Sequence, residues 1–131
     1  MRRAAALGIA LAATLAGCGG SPGDLLAIDV TGGAANRQQR IVVQDNGHAT
    51  CNGGQSQDLG SAALIDARQI EHDLKQLADR AATYEEAPRG ATSYTARTND
   101  GTVRWLEGAR GLPGVLPRTQ LFALEQGRKL C

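Results

Sequence analysis

The chain has 131 residues, a formal charge of +1, three cysteines and two histidines, a size that accommodates one hydrophobic core. With Lys75 and Lys129 as the only lysines, no basic stripe marks a nucleic-acid partner, and Tyr84, Tyr94, Trp105 and Phe122 are too few to build a base-stacking platform. His48 and His72 stand alone, without the spacing of a metal site, and no motif asks for a cofactor.

The N-terminus reads as an export signal. Met1-Arg2-Arg3 supplies the positive charge, Ala4 to Leu15 an apolar run, and Ala16-Gly17 the small residues of a cleavage site. About a dozen apolar residues rise only about 18 Å as a helix, short of the roughly 30 Å hydrocarbon core. Leu15-Ala16-Gly17-Cys18 closely resembles the lipobox of bacterial lipoproteins. That resemblance implies cleavage before Cys18, diacylglycerol on its sulfur and an acyl chain such as palmitate on its amine, and with two or more chains anchoring becomes stable. The expected organisation is a signal peptide over 1–17, a lipidated cysteine and tether over 18–23, and one domain over 24–131. Its address is the cell membrane, facing away from the cytoplasm. The +1 charge includes Arg2 and Arg3, so the mature chain carries −1.

With Cys18 given to lipid, Cys51 and Cys131 remain in an oxidising compartment, where two thiols tend to pair. Free thiols or a bond between molecules are the alternatives. An intramolecular bridge spans 80 residues, worth roughly 4.5 kcal/mol in loop-closure entropy.

In chain order, Leu25 to Val30 is a short apolar stretch ending at Thr31-Gly32-Gly33, and predicts a strand and a turn. Arg40 to Gln44 is the next strand. Asp45-Asn46-Gly47 tolerates positive φ and turns the chain into a third strand, His48 to Cys51. Asn52 to Gln57 reads as a polar loop. From Ser61, a plausible cap, the period changes: Leu64, Ala67, Ile70, Leu74, Leu77 and Ala81 share one helical face. Tyr84 to Gly90, with Pro88, breaks the helix. Ser93 to Arg97 and Thr102 to Leu106 flank Thr98-Asn99-Asp100-Gly101 as a second hairpin, with Trp105 a core anchor. A terminal helix runs from about Pro117 to Lys129, with Leu121, Phe122 and Leu124 on its apolar side and Gly127 weakening its last turn. The order βββαββα predicts an α+β fold: an antiparallel sheet of four to five strands with two helices packed on one face.

Chemistry is scarce in this pattern. His48 lies three residues before Cys51 with no third group to complete a triad, and His72 sits among charges on the wet helix face. Gly32-Gly33 follows a strand but precedes another strand, so no helix dipole is available to hold phosphate. No catalytic residue is expected and the protein does not read as an enzyme. The exposed turn from Gly32 to Arg40, with two glycines, amides and two guanidinium groups, is the candidate contact surface for a protein or peptide.

Several features together, namely Val30-Thr31-Gly32-Gly33 ending a strand, Ala67-Arg68-Gln69-Ile70 on the helix, the Tyr94 to Trp105 hairpin with Asp100-Gly101 at its turn, and Leu112-Pro113 before a leucine-bearing helix, look like the emfourin family of thermolysin-type metalloprotease inhibitors. The resemblance implies a stoichiometric protease contact, with Gly32, Gly33 and Arg37 as the positions to test there. The lipobox and the Cys51/Cys131 pair depart from that family. The sequence reading is therefore a membrane-anchored lipoprotein with a small non-catalytic binding domain, and the alternative an emfourin-like inhibitor.

Overall fold

Why a chain this poor in aromatics folds at all is answered by alternation. In a computed structural model that describes residues 23–131, the long strands alternate, and Leu26, Ile28, Val30, Ile41, Val43, Tyr94, Ala96, Val103 and Trp105 are buried on one side. The expected signal peptide over 1–17, Cys18 and the expected tether as far as residue 22 lie outside the described residues. Strands β1 (Asp24–Gly32), β2 (Arg37–Gln44) and β3 (His48–Cys51) form a meander. Strands β6 (Thr92–Thr98) and β7 (Gly101–Leu106) form the second hairpin. β1 pairs with both β2 and β6 and so lies at the centre of the sheet.

Two further strands of two residues each complete a seven-stranded sheet of order β4-β3-β2-β1-β6-β7-β5. β4 (Gln57–Asp58) lies in the segment read as a loop, and β5 (Thr83–Tyr84) in the helix-breaking stretch. β5 runs parallel to β7, so the α+β class holds while the sheet is mixed and wider than four to five antiparallel strands. Strands this short carry no periodicity in sequence, and it is pairing with a neighbour that defines them. They extend the two sheet edges, each pairing with two residues of its neighbour, and such short edge strands limit edge-to-edge association.

Helices α1 (Ser61–Asp79) and α2 (Val115–Leu130) pack on one face. Leu26, Ile28 and Val30 of β1, Ile41 and Val43 of β2, and Val103 and Trp105 of β7 meet Ile70 and Leu74 of α1 and Leu116 and Phe122 of α2 in one core. Trp105 is 1% exposed, stacks on Tyr94 at 5.4 Å and donates from Nε1 to Gln120 Oε1 at 3.1 Å. Its polar edge is thus satisfied while its rings fill the gap between sheet and α2.

The helix termini differ from expectation. The N-cap of α1 is Gly60, not Ser61, which is the first helical residue and makes no capping hydrogen bond. The Asp58 carboxylate accepts from the Gly60 N–H at 2.9 Å and fixes the chain entering the helix. Ala81 is not part of the buried stripe: it lies past the helix end with φ 49° and is exposed. The Ala82 N–H bonds the Leu77 carbonyl and the Ala81 N–H that of Ala78, the reciprocal pattern that closes a helix with a left-handed residue. α2 begins at Val115, which keeps Pro117 in the first turn. Gly127 is buried against the Gln39 side chain, where the lack of a side chain permits close approach of helix and β2.

Cys51 and Cys131 form a disulfide with their Cα atoms 5.5 Å apart. It joins the end of β3 to the residue after α2. The glycine-containing last turn of α2 is thereby held against the sheet edge.

Candidate functional site

The turn between β1 and β2 is built by backbone geometry that side chains resist. Gly32 and Gly33 have φ of 78° and 76°, Asn36 has φ 45°, and the Asn36 N–H donates to the Gly33 carbonyl at 3.0 Å. A side chain on Gly33 would run into the Thr92 hydroxyl, so glycine there lets the turn close onto the start of β6. Arg37 begins β2 opposite Gly32. The exposed crossing expected from Gly32 to Arg40 is therefore a tight turn of four residues, 33–36, between two paired strands.

Beside this turn lies an open groove of about 590 Å3. Gly32, Gly33 and Arg37, the three residues singled out from the sequence, all line it. α2 contributes Gln120, Leu121 and Leu124 to its lining, together with Tyr94 of β6 and Glu107 just after β7. Sequence periodicity had placed Leu121 and Leu124 on the buried side of α2 with Phe122. Only Phe122 is buried; Leu121 is 55% and Leu124 38% exposed. The buried stripe is instead Leu116, Thr119, Phe122, Ala123, Gln126 and Gly127. Its phase was hidden because half its members are polar or lack a side chain. Thr119 is accommodated by donating its hydroxyl to the Val115 carbonyl at 2.7 Å.

The lining of the groove combines polar and apolar groups. Burial pushes the Tyr94 phenol above its ordinary range, and the negative charge of Glu107 adds to this. A hydrogen bond with Gln120 and the positive charge of Arg37 work the other way. A neutral hydroxyl, an amide, a carboxylate and a guanidinium thus line one groove with two exposed leucines. This is the mixture of a few oriented polar groups and apolar surface that suits peptide recognition.

The remaining sequence candidates are scattered. His48 is exposed on β3 and His72 on α1, and Cys51 is tied up in the disulfide, so among the described residues no free thiol stands near either histidine. Among the described residues no group of three or more His, Cys, Asp or Glu side chains is placed to hold a metal ion. None of the described helices is long and apolar enough to cross a membrane. Comparison with protein-family models, with curated proteins and with solved structures found no match to this chain.

Proposed function

We propose that the protein is a lipoprotein anchored outside the cytoplasm through Cys18, and that its domain binds a protein or peptide, without catalysis, in the groove between the β1–β2 turn and α2. The observation that supports binding is the pair of exposed leucines, Leu121 and Leu124, lining one groove with polar groups that have a buried tyrosine among them. A solvent-facing leucine is unremarkable alone, but two lining one preformed groove make a contiguous apolar contact. The tether joins β1 at Asp24, and the groove lies at the Gly32 end of that strand, roughly 27 Å away at about 3.4 Å per residue. An anchored domain can therefore receive a partner without obstruction by its own lipid.

The same groove supports a second reading, an emfourin-like inhibitor, because Gly32, Gly33 and Arg37 lie together on it rather than apart. One experiment separates the two. The domain from Asp24 to Cys131 is titrated against a thermolysin-type protease while residual activity is followed, and in parallel a photo-crosslinking residue replaces Leu121 or Leu124 in intact cells. Saturable one-to-one inhibition, lost in Arg37→Glu, assigns the inhibitor reading. No inhibition together with a discrete protein adduct from the groove positions assigns a different protein partner. The absence of both inhibition and an adduct refutes the groove as a binding site.

A further inference from the structure

Among the described residues nothing packs on the face of the sheet opposite the helices, and its central rows are rich in arginine. Alternation places Arg40, Asp29, Thr95 and Arg104 in one row across β2, β1, β6 and β7, and Val42, Ala27, Arg97 and Thr102 in the next. Asp29, the one carboxylate in these rows, is engaged by Arg40 at 3.7 Å. Among the described residues Arg97 and Arg104 have no ion-pair partner, and both are exposed. Because Arg97 stands opposite Thr102 and Arg104 opposite Thr95, the two arginines are diagonal neighbours on adjacent strands, roughly 7 Å apart at the backbone. Like charges held this close repel, and an anion lying between them relieves the repulsion. Their surroundings are small or short side chains, so the guanidinium groups stand highest on a nearly flat surface.

Two other carboxylates of this face, Asp24 opposite Gln44 and Asp58 opposite His48, lie outside the two central rows. Asp66, Glu71, Asp73 and Asp79 are on α1, in the other layer. α1 and α2 together hold five carboxylates and five cations, so the helix layer is balanced, whereas the two central rows of the sheet hold three arginines and one carboxylate.

We propose that this open face docks on the anionic phospholipid headgroups of the membrane to which the chain is tethered. The proposal rests on the lipoprotein reading of Cys18 for bringing that surface within reach. Cys18 and Asp24 are six residues apart, a span of at most about 22 Å, so the domain cannot leave the headgroup zone by more than its own thickness. A lipid chain combined with basic residues is the pairing that makes attachment persistent. With the sheet face down, the groove between Tyr94 and α2 is on the helix side and opens away from the lipid.

The test uses the lipid-free domain from Asp24 to Cys131, whose core and disulfide draw only on residues within it. It is sedimented with vesicles of phosphatidylglycerol and, separately, of phosphatidylcholine. Binding to the first and not the second is expected, weakening as salt shortens the screening length below about 10 Å. The double variant R97Q/R104Q should lower partitioning about thirtyfold, roughly fivefold for each arginine, whereas R128Q on the helix layer should leave it unchanged. Tryptophan fluorescence of each variant verifies folding. A folded wild-type domain that ignores phosphatidylglycerol, binds both lipids alike, or binds as well after R97Q/R104Q overturns the proposal. Since no lipid is attached to the tested protein, these outcomes are independent of whether Cys18 is modified, which the mass of the cell-derived protein decides.

Discussion

Tyr94 has two roles, stacked on Trp105 in the core and exposing its hydroxyl end to the groove among Glu107, Gln120 and Arg37. Its phenol is held above the usual value of 10.0, first by burial and then by Glu107. The folded state thus retains a proton that the unfolded chain gives up sooner, so this contribution to stability is fully present below about pH 10 and is lost as pH rises through the folded value. Lys75 works in the same window: its hydrogen bond and ion pair with Asp100, at 2.8 Å, raise its pKa. Denaturant midpoints measured from about pH 9 to about pH 12 should fall more steeply in the wild type than in Tyr94→Phe, which retains only the Lys75 share. Equal slopes would mean that Tyr94 is as well solvated folded as unfolded. Gly101 shows what else happens at single residues: with φ 143° and the Ala78 carbonyl against the place of a side chain, it is where the β6–β7 turn meets α1. A turn glycine was legible from Asp100-Gly101, but its contact with the helix was not.

At the scale of elements, α1 was the clearest in the sequence, since Ala67, Ile70, Leu74 and Leu77 recur at helical spacing and all are buried. α2 was located but its rotation was misjudged, because Thr119, Gln126 and Gly127 occupy inward positions that hydropathy assigns to solvent. That error concealed half the groove: without the rotation, Leu121 and Leu124 are core. Arg118 ties the helices together through Asp66 and Asp73, but all three side chains are more than a third exposed, so the link is worth at most about 1 kcal/mol. The Cys51–Cys131 bond is the stronger restraint on α2. The double variant Cys51→Ser/Cys131→Ser should lose up to about 4.5 kcal/mol of unfolding free energy, measured by denaturant titration, with hydrogen exchange rising first in the last turn of α2. A loss of less than about 1 kcal/mol would show that helix packing alone holds that end.

The whole molecule is a layered object with three surfaces: a sheet face with arginines in its central rows, a charge-balanced helix layer and a groove at the end of β1. Its proposed placement depends on one residue outside the described part. Cys18→Ser should leave the precursor uncleaved or release the domain from the membrane fraction, while the wild-type protein should show the added mass of diacylglycerol and acyl chains on Cys18. Normal membrane anchoring of the variant would remove the lipoprotein reading.

Local chemistry in the sequence was enough to determine the long strands, the first helix, the turns at Gly47 and Gly101 and an α+β class, because each depends on residues close along the chain. It also identified Gly32, Gly33 and Arg37, through their conspicuous turn. Tertiary structure alone decided the rest. The two short strands exist by pairing with β3 and β7, the choice of the 80-residue intramolecular disulfide required β3 and the end of α2 to meet, and the groove required β1, β6 and α2 to converge. The juxtaposition of Arg97 with Arg104 follows from strand register. Each is a relation between distant segments, set by how one core closes.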